Sequence, residues 1–362
     1  MSSDIGVKFR TTVFGESHGP AIGAVIDAPP AGYKINFDEI LTQVKRRAPG
    51  QDPSATSRKE TDVPEFLSGL LDGVTTGAPL AFIIRNSDQH SNNYDNIAVR
   101  PRPSHADYAA NVRFNGFNDV RGGGNFSGRL TAPLTVAGAV ARQILKKHGI
   151  TIGGHVSFVG NVMDEPFDPV NVSEAMLDDL SHRYFSTINN DVGQQMADEI
   201  ASAKANGDSI GGEVEIAVTG LPAGIGSPTI RGLENVISQA IFAVPAVKGV
   251  EFGEGFGFAS MLGSEANDQM YYDENTVKCK SNHNGGITGG ISNSMPLIIR
   301  AAIKPTPSIA KPQSTVNLST KTNDTLVIEG RHDPCIVPRA LPAIEAAVAI
   351  ALVDLLWEVT AL

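Results

Sequence analysis

Residues 15–32 read GESHGPAIGAVIDAPPAG, and residues 207–224 read GDSIGGEVEIAVTGLPAG. The two stretches have equal length, with G-acid-S-x-G and P-A-G at identical offsets. In each, a glycine turn leads into an apolar run with strand character, and a helix signal follows. Further on comes a second strand opening on Pro-Leu and ending in arginine, at 79–85 in the first copy and 296–300 in the second. Strand, helix and strand in two copies predict an α+β fold that is internally pseudo-duplicated. Its halves cover about 10–110 and 205–310 within a single domain spanning 1–362. The repeat also isolates one residue. Gly15, Ser17 and Gly19 have counterparts in Gly207, Ser209 and Gly211, but His18 faces Ile210. The turn therefore has no need of histidine, and His18 is better explained by chemistry.

Working outward, Asn36 caps a helix over 37–47, with Glu39 at the capping-box position and Pro49-Gly50 closing it. Further helices are expected over 132–147, over 174–185 behind the cap Ser173, near 192–205, from Thr229 to the stop at Pro245, and over 342–358. Strands are expected at 21–26, 80–85, 156–162, 214–219, 297–303 and 325–329. The longest apolar stretch, 343–357, is interrupted by Glu345 and Asp354, so it is expected to be a core helix and not a membrane span.

The chain has 362 residues, 41% hydrophobic and 19% charged, with a net charge of −10. That balance argues against a general nucleic-acid or membrane-surface binder. The N-terminus carries no secretory signal, and Cys279 and Cys335 lack any framework or C-x-x-C spacing, which fits a reducing, cytoplasmic setting. No H-x-x-x-H, H-x-H or paired Cys/His spacing points to a metal, and none is expected.

Chemistry concentrates in polar loops. His18, His105, His283 and His332 sit in GESHG, RPSHAD, SNHNGG and GRHDP, and histidine suits general acid work near neutrality. Arginines cluster in the same way: Arg46 and Arg47, Arg58, Arg100 and Arg102, Arg121 and Arg129, Arg331 and Arg339. Guanidinium forks hold phosphates and carboxylates bidentately, so an acidic body with a positive, anion-binding pocket is expected. The run GGGNFSG at 122–128 precedes a helix and offers free N–H groups to an anion, without the signature of a P-loop or a dinucleotide fold. HNGGITGGISN at 283–293 and KPTPS at 304–308 would likewise suit a phosphate or a planar cofactor lying against backbone.

Together these segments closely resemble chorismate synthase. The matches are GESHG at 15–19, RRAPG at 46–50, R-x-E-x-D at 58–62, RPSHAD at 102–107 and RGGGNFSGRLTA at 121–132. GDSIGG at 207–212, PAVKGVEFG at 245–253, NHNGGITGGISN at 282–293, KPTPS at 304–308 and GRHDPCIVPRA at 330–340 follow in the family's order. Two places depart from the pattern. Ser104 stands where the family often has glycine, and Asn125 and Leu130 replace an arginine and a glutamate common in its glycine loop.

The resemblance implies a β-α-β sandwich of two sheets enclosing helices, assembled as a homotetramer with flavin near subunit contacts. It implies a lyase of the shikimate pathway that converts 5-enolpyruvylshikimate 3-phosphate to chorismate and phosphate by anti-1,4-elimination, with reduced FMN fed by an external, NADP-linked flavin reductase. By the same resemblance His18 serves the leaving phosphate, His105 protonates the reduced flavin, and Asp333 assists removal of the ring hydrogen. Ser17, Arg47, Arg129 and Arg339 fall at substrate positions. Ser127, Gln239, Ala240, Gly289, Lys304, Pro305, Thr306, Pro307, Ser308 and Arg331 fall at flavin positions. The alternative is another FMN-dependent oxidoreductase acting on a phosphorylated or carboxylated small molecule.

Overall fold

Alternating burial along residues 80–85, and along 21–26 apart from the buried Gly23, marks strands with one face against a core, and both form antiparallel ladders. The computed structural model describes residues 3–50, 62–86, 99–328 and 332–359. The first sheet contains β1 (Asp4–Ile5), β2 (Thr11–Gly15), β3 (Ala21–Ile26), β4 (Glu65–Phe66) and β5 (Leu80–Arg85), in the order β1-β2-β3-β5-β4. The second contains β6 (Thr151–Val159), β7 (Val162–Met163), β8 (Gly212–Thr219), β9 (Val247–Phe252) and β10 (Leu297–Ile303), in the order β9-β10-β8-β6-β7.

The two repeated segments take matching places, β3 and β8, each central in its sheet. Ile26 lies opposite Leu80, and Val218 lies opposite Leu297, so the Pro-Leu strands pair in the same register. Their arginines do not match. Arg85 ends its strand opposite Ala21, whereas Arg300 sits in mid-strand opposite Glu215 because β10 runs on to Ile303.

Four helices fill the space between the sheets: α1 (Phe37–Arg47), α2 (Thr131–Lys147), α3 (Leu233–Phe242) and α4 (Val337–Val359). Helix α2 touches β3 of one sheet and β6 of the other, while α4 packs along α2 and onto β6 and β8. The α2–α4 approach is close because both helices present small residues. A Cβ added at Gly138 would lie 2.1 Å from the Ala346 Cβ. Helix α4 is apolar and long enough to cross a membrane by composition, yet 94% of its most apolar window is buried inside the protein. A helix that is apolar on all sides belongs in a core, and here it forms the centre of one.

Several boundaries differ from expectation. The last helix begins at Val337, so Pro342 falls inside it. The helix expected over 174–185 stops at Leu180, and the strand expected at 156–162 is split by a turn at Gly160 with positive φ. The strand expected at 325–329 lies at Thr322–Leu326, with Glu329 outside the described residues. Strand β9 lies in a motif segment whose lysine, glycine and glutamate blur the alternation, and β2 is a short strand that runs straight into the GESHG turn.

The second sheet holds a buried ionic group apart from the motifs. His155 on β6 is fully buried, with Nδ1 2.9 Å from Asp164 and Nε2 3.0 Å from Glu215. The Phe167 ring stands edge-on to its imidazole at 4.8 Å. Asp164 also accepts from the Ile188 and Asn189 amides, and Glu215 from the Phe167 amide, so the group ties the 164–189 connection to the sheet. Burial pushes the His155 pKa down, but hydrogen bonds and charge from the two carboxylates outweigh it and raise the pKa. A raised folded-state pKa contributes stability that is fully present below about pH 6.5, the unfolded value, and is lost as pH rises through the folded value. His155→Gln should therefore destabilise the protein by about 3–5 kcal/mol in urea unfolding at pH 6. The gap to wild type should narrow at alkaline pH, and a pH-independent gap would refute the charged-histidine account.

Candidate active site

The glycine run at 122–128 is the hinge of the site. Gly122, Gly123 and Gly124 all have positive φ (60°, 95° and 52°), a backbone that only glycine adopts three times in succession at low cost. Space makes the same demand. A Cβ on Gly122 would lie 2.2 Å from the His18 ring, and one on Gly123 would lie 3.3 Å from the His105 ring. Consecutive bare backbone units therefore carry the two imidazoles against them. His18 comes from the turn between β2 and β3, where the Ser17 amide and hydroxyl donate to the Gly124 and Arg121 carbonyls and the Ser17 Oγ lies 3.1 Å from His18 Nδ1.

His105 lies just before the helix Asp107–Arg113. Its Nδ1 is 2.5 Å from Asp107, and Arg102 forks onto the same carboxylate at 2.7 and 2.8 Å. Burial pushes the Asp107 carboxyl up, but hydrogen bonds from Arg102 and His105 overcome it and hold the group well below the usual carboxylate range. Ser104 has φ +59°, in the left-handed region that glycine adopts at least cost, so serine holds the turn before His105 against a steric penalty.

Beside the histidines lies an arginine cluster. Arg47, the last residue of α1, donates to Asp62 (2.9 Å), to the Thr131 hydroxyl (3.0 Å) and to the Gly128 carbonyl (3.0 Å). Arg129 donates to the other oxygen of Asp62 and to Asn86, while its backbone amide donates to the Ser127 hydroxyl. Asn86 in turn donates to the Glu16 and Gly19 carbonyls, joining the arginines to the His18 turn. Arg339 on α4 donates to the Arg47 carbonyl and pairs with Asp333. Ser17, His18, Arg47, Ser127, Arg129, Asp333 and Arg339 are thus connected in one network.

The 304–308 segment joins the His105 side. Lys304 Nζ donates to the Ser104 carbonyl (2.7 Å), and Arg102 donates weakly to the Ser308 hydroxyl (3.4 Å). Burial, with Lys248 adding repulsion, pushes the Lys304 pKa down. The Thr306 hydroxyl is buried without a hydrogen-bond partner among the described residues. Other expected flavin residues lie apart. Gln239 is exposed on α3, Ala240 is fully buried in the core, and Gly289 is exposed at the tip of the hairpin Ile287–Thr288 and Ile291–Ser292. Arg331 and Arg58 lie outside the described residues.

The remaining arginines have structural partners. Arg46 is buried against Glu345, Arg100 pairs with Asp324, and Arg121 pairs with Asp119. His283 belongs to a separate loop network centred on Asp268. Both cysteines are buried, and burial pushes the Cys335 thiol up to about 12, which leaves it inert. No group of metal-ligating side chains occurs among the described residues. The sequence reading missed Asp62, Asn86 and Asp107. Asp62 and Asp107 close the quoted motifs R-x-E-x-D and RPSHAD, and an acid ending each arginine motif was the available signal.

The family model described as chorismate synthase matches residues 9–357. A chorismate synthase of Korarchaeum cryptofilum is 44% identical over 359 residues, covering 98% of this chain and 97% of its own length. One from Dehalococcoides mccartyi is 44% identical over 361 residues, covering 98% and 96%. A solved crystal structure of chorismate synthase superposes with a TM-score of 0.75 at 27% identity, covering 98% of this chain and 92% of that one. On sequence, fold and extent alike, the chain belongs to the chorismate synthase family.

Proposed function

We propose that this enzyme converts 5-enolpyruvylshikimate 3-phosphate to chorismate and phosphate by anti-1,4-elimination in the presence of reduced FMN, within a single domain. The observation that carries this reading is the pairing of two imidazoles on the bare Gly122–Gly123 backbone beside the arginine cluster around Asp62. A substrate with one phosphate and two carboxylates needs several fixed cations, and Arg47, Arg129 and Arg339 would supply them. Ser17 would hold His18 in place, and His18 would give a proton to the departing phosphate. Asp333, held by Arg339 at the start of α4, would assist removal of the ring hydrogen.

The residues present fit a flavin. The partnerless Thr306 hydroxyl and the depressed Lys304 offer polar atoms on a segment already docked to the His105 loop. Ser127, Lys304, Pro305, Thr306, Pro307 and Ser308 would hold it, together with Arg331, and His105 would hold a proton facing it. Reduced FMN, when bound, supplies electron density that helps phosphate leave. Gln239 and Gly289, exposed and without hydrogen bonds to this cluster among the described residues, would serve a neighbouring subunit's flavin in a homotetramer. A separate flavin reductase would deliver the cofactor in the cytoplasm.

The decisive assay mixes protein, substrate and chemically reduced FMN without oxygen, and follows chorismate and phosphate. Many turnovers per flavin are expected, and reductant consumed one-for-one with product would establish a redox enzyme instead. His18→Ala and His105→Ala should each lower turnover about 10²–10⁴-fold with the fold intact, and near-wild-type rates would remove the proton-transfer roles. Asp333→Asn should cripple elimination while flavin binding persists. Gly122→Ala, far from any charge change, should lower turnover because its methyl would collide with His18. An unaffected rate in a folded variant would show that His18 need not sit where it does.

A further inference from the structure

We propose that Asp107 is a positioning residue for His105, fixing the imidazole with hydrogen on Nδ1 and leaving Nε2 as the atom that exchanges a proton. This rests on the role assigned to His105 above. Nδ1 has two polar neighbours, the Asp107 carboxylate at 2.5 Å and the Arg102 Nη2 at 3.1 Å. If Nδ1 carried a lone pair to accept from Arg102, that lone pair would face a carboxylate oxygen at the shorter distance. Hydrogen on Nδ1 turns the same contact into a charge-assisted hydrogen bond. The nearer and stronger partner therefore sets the tautomer, and Arg102 serves Asp107.

The carboxylate is itself immobilised. Its oxygens accept from the Arg102 backbone amide (3.0 Å), Nε (2.7 Å) and Nη2 (2.8 Å). Arg102 is buried and is steadied through its remaining fork by Ser308. With Arg102 bound in this way Asp107 stays ionised, in keeping with its depressed pKa, so it orients His105 and does not take its proton. On the other side of the ring, a Cβ placed on Gly123 would be 3.4 Å from Nε2, so Nε2 faces the glycine loop. A carboxylate that holds one imidazole nitrogen while the other works is a common way to fix ring orientation, and by analogy with the partners of metal-bound histidines its loss should lower activity about 10–100-fold.

The test uses Asp107→Asn, Asp107→Glu, His105→Ala and the double variant His105→Ala/Asp107→Asn in the anaerobic assay, with folding checked by circular dichroism. Asp107→Asn should lower kcat about 10–100-fold with little change in KM. Removing the carboxylate destabilises the imidazolium, so the limb of the kcat–pH profile that depends on protonated His105 should move to lower pH. Asp107→Glu should restore part of the rate. In the His105→Ala background Asp107→Asn should add no further loss. Equal losses in both backgrounds, an unmoved pH limb, or full turnover by Asp107→Asn would each overturn the proposal. An inactive wild type would refute the proposed function and leave this question to NMR of ¹⁵N-histidine-labelled protein. There, hydrogen on Nδ1 of His105 supports the assignment and hydrogen on Nε2 alone overturns it.

Discussion

Everything in this molecule is arranged around the burial of α4. A helix with apolar residues on every side can be satisfied only by complete enclosure, and the two sheets with α1, α2 and α3 provide it. Two of the carboxylates on that helix, Glu345 and Asp354, are fully buried and therefore need partners. Glu345 receives Arg46 from α1 (2.6 Å) and Arg142 from α2 (2.9 Å), which sets both helices against α4. Asp354 receives the backbone amides of Val7, Lys8 and Phe9, the segment leading into β2. One helix thus fixes the placement of its neighbours through charge as well as packing, and its first turn carries Arg339 to the site.

How much of this was legible depends on the range of the interaction concerned. The repeated glycine turns and Pro-Leu strands are local signals, and they appear as β3 with β5 and β8 with β10. The segments bearing His18, Arg47, Arg129 and Arg339 are joined in one network and Lys304 joins His105, whereas the His283 segment stays apart. What sequence order could not supply was the fate of adjacent, identical residues. Arg46 and Arg47 differ by about 100° around α1, so one enters the core toward Glu345 and the other the site toward Asp62. Glu345 and Asp354 read as interruptions of an apolar run, and tertiary pairing makes them its anchors. Asp62 and Asp107 gain their roles only through neighbours that folding delivers.

The site is built more by backbone than by side-chain bulk. Left-handed Gly122 and Gly123 clear the space in which His18 and His105 lie, and the Gly124 and Arg121 carbonyls tie down Ser17. The cations are treated in the opposite way, being heavily bonded already. Asp62 bridges Arg47 and Arg129, and Asp333 meets Arg339, so each guanidinium is oriented before any ligand arrives. Preorganised cations of this kind suit a substrate whose charge builds up as a bond breaks.

The grip of Asp354 on residues 7–9 also bears on how the protein comes into being. These partners are separated by 345 to 347 positions, and β2, which the grip aligns, leads straight to the turn bearing His18. A ribosome therefore releases the His18 strand long before its anchor. Contacts of such long range are made late and slowly, after the loop-closure entropy of nearly the whole chain has been met. Nascent chains lacking the last helix carry the histidines of the site and Arg47 and Arg129, but neither Arg339 nor the scaffold that aligns them, so chemistry waits until that helix has been made.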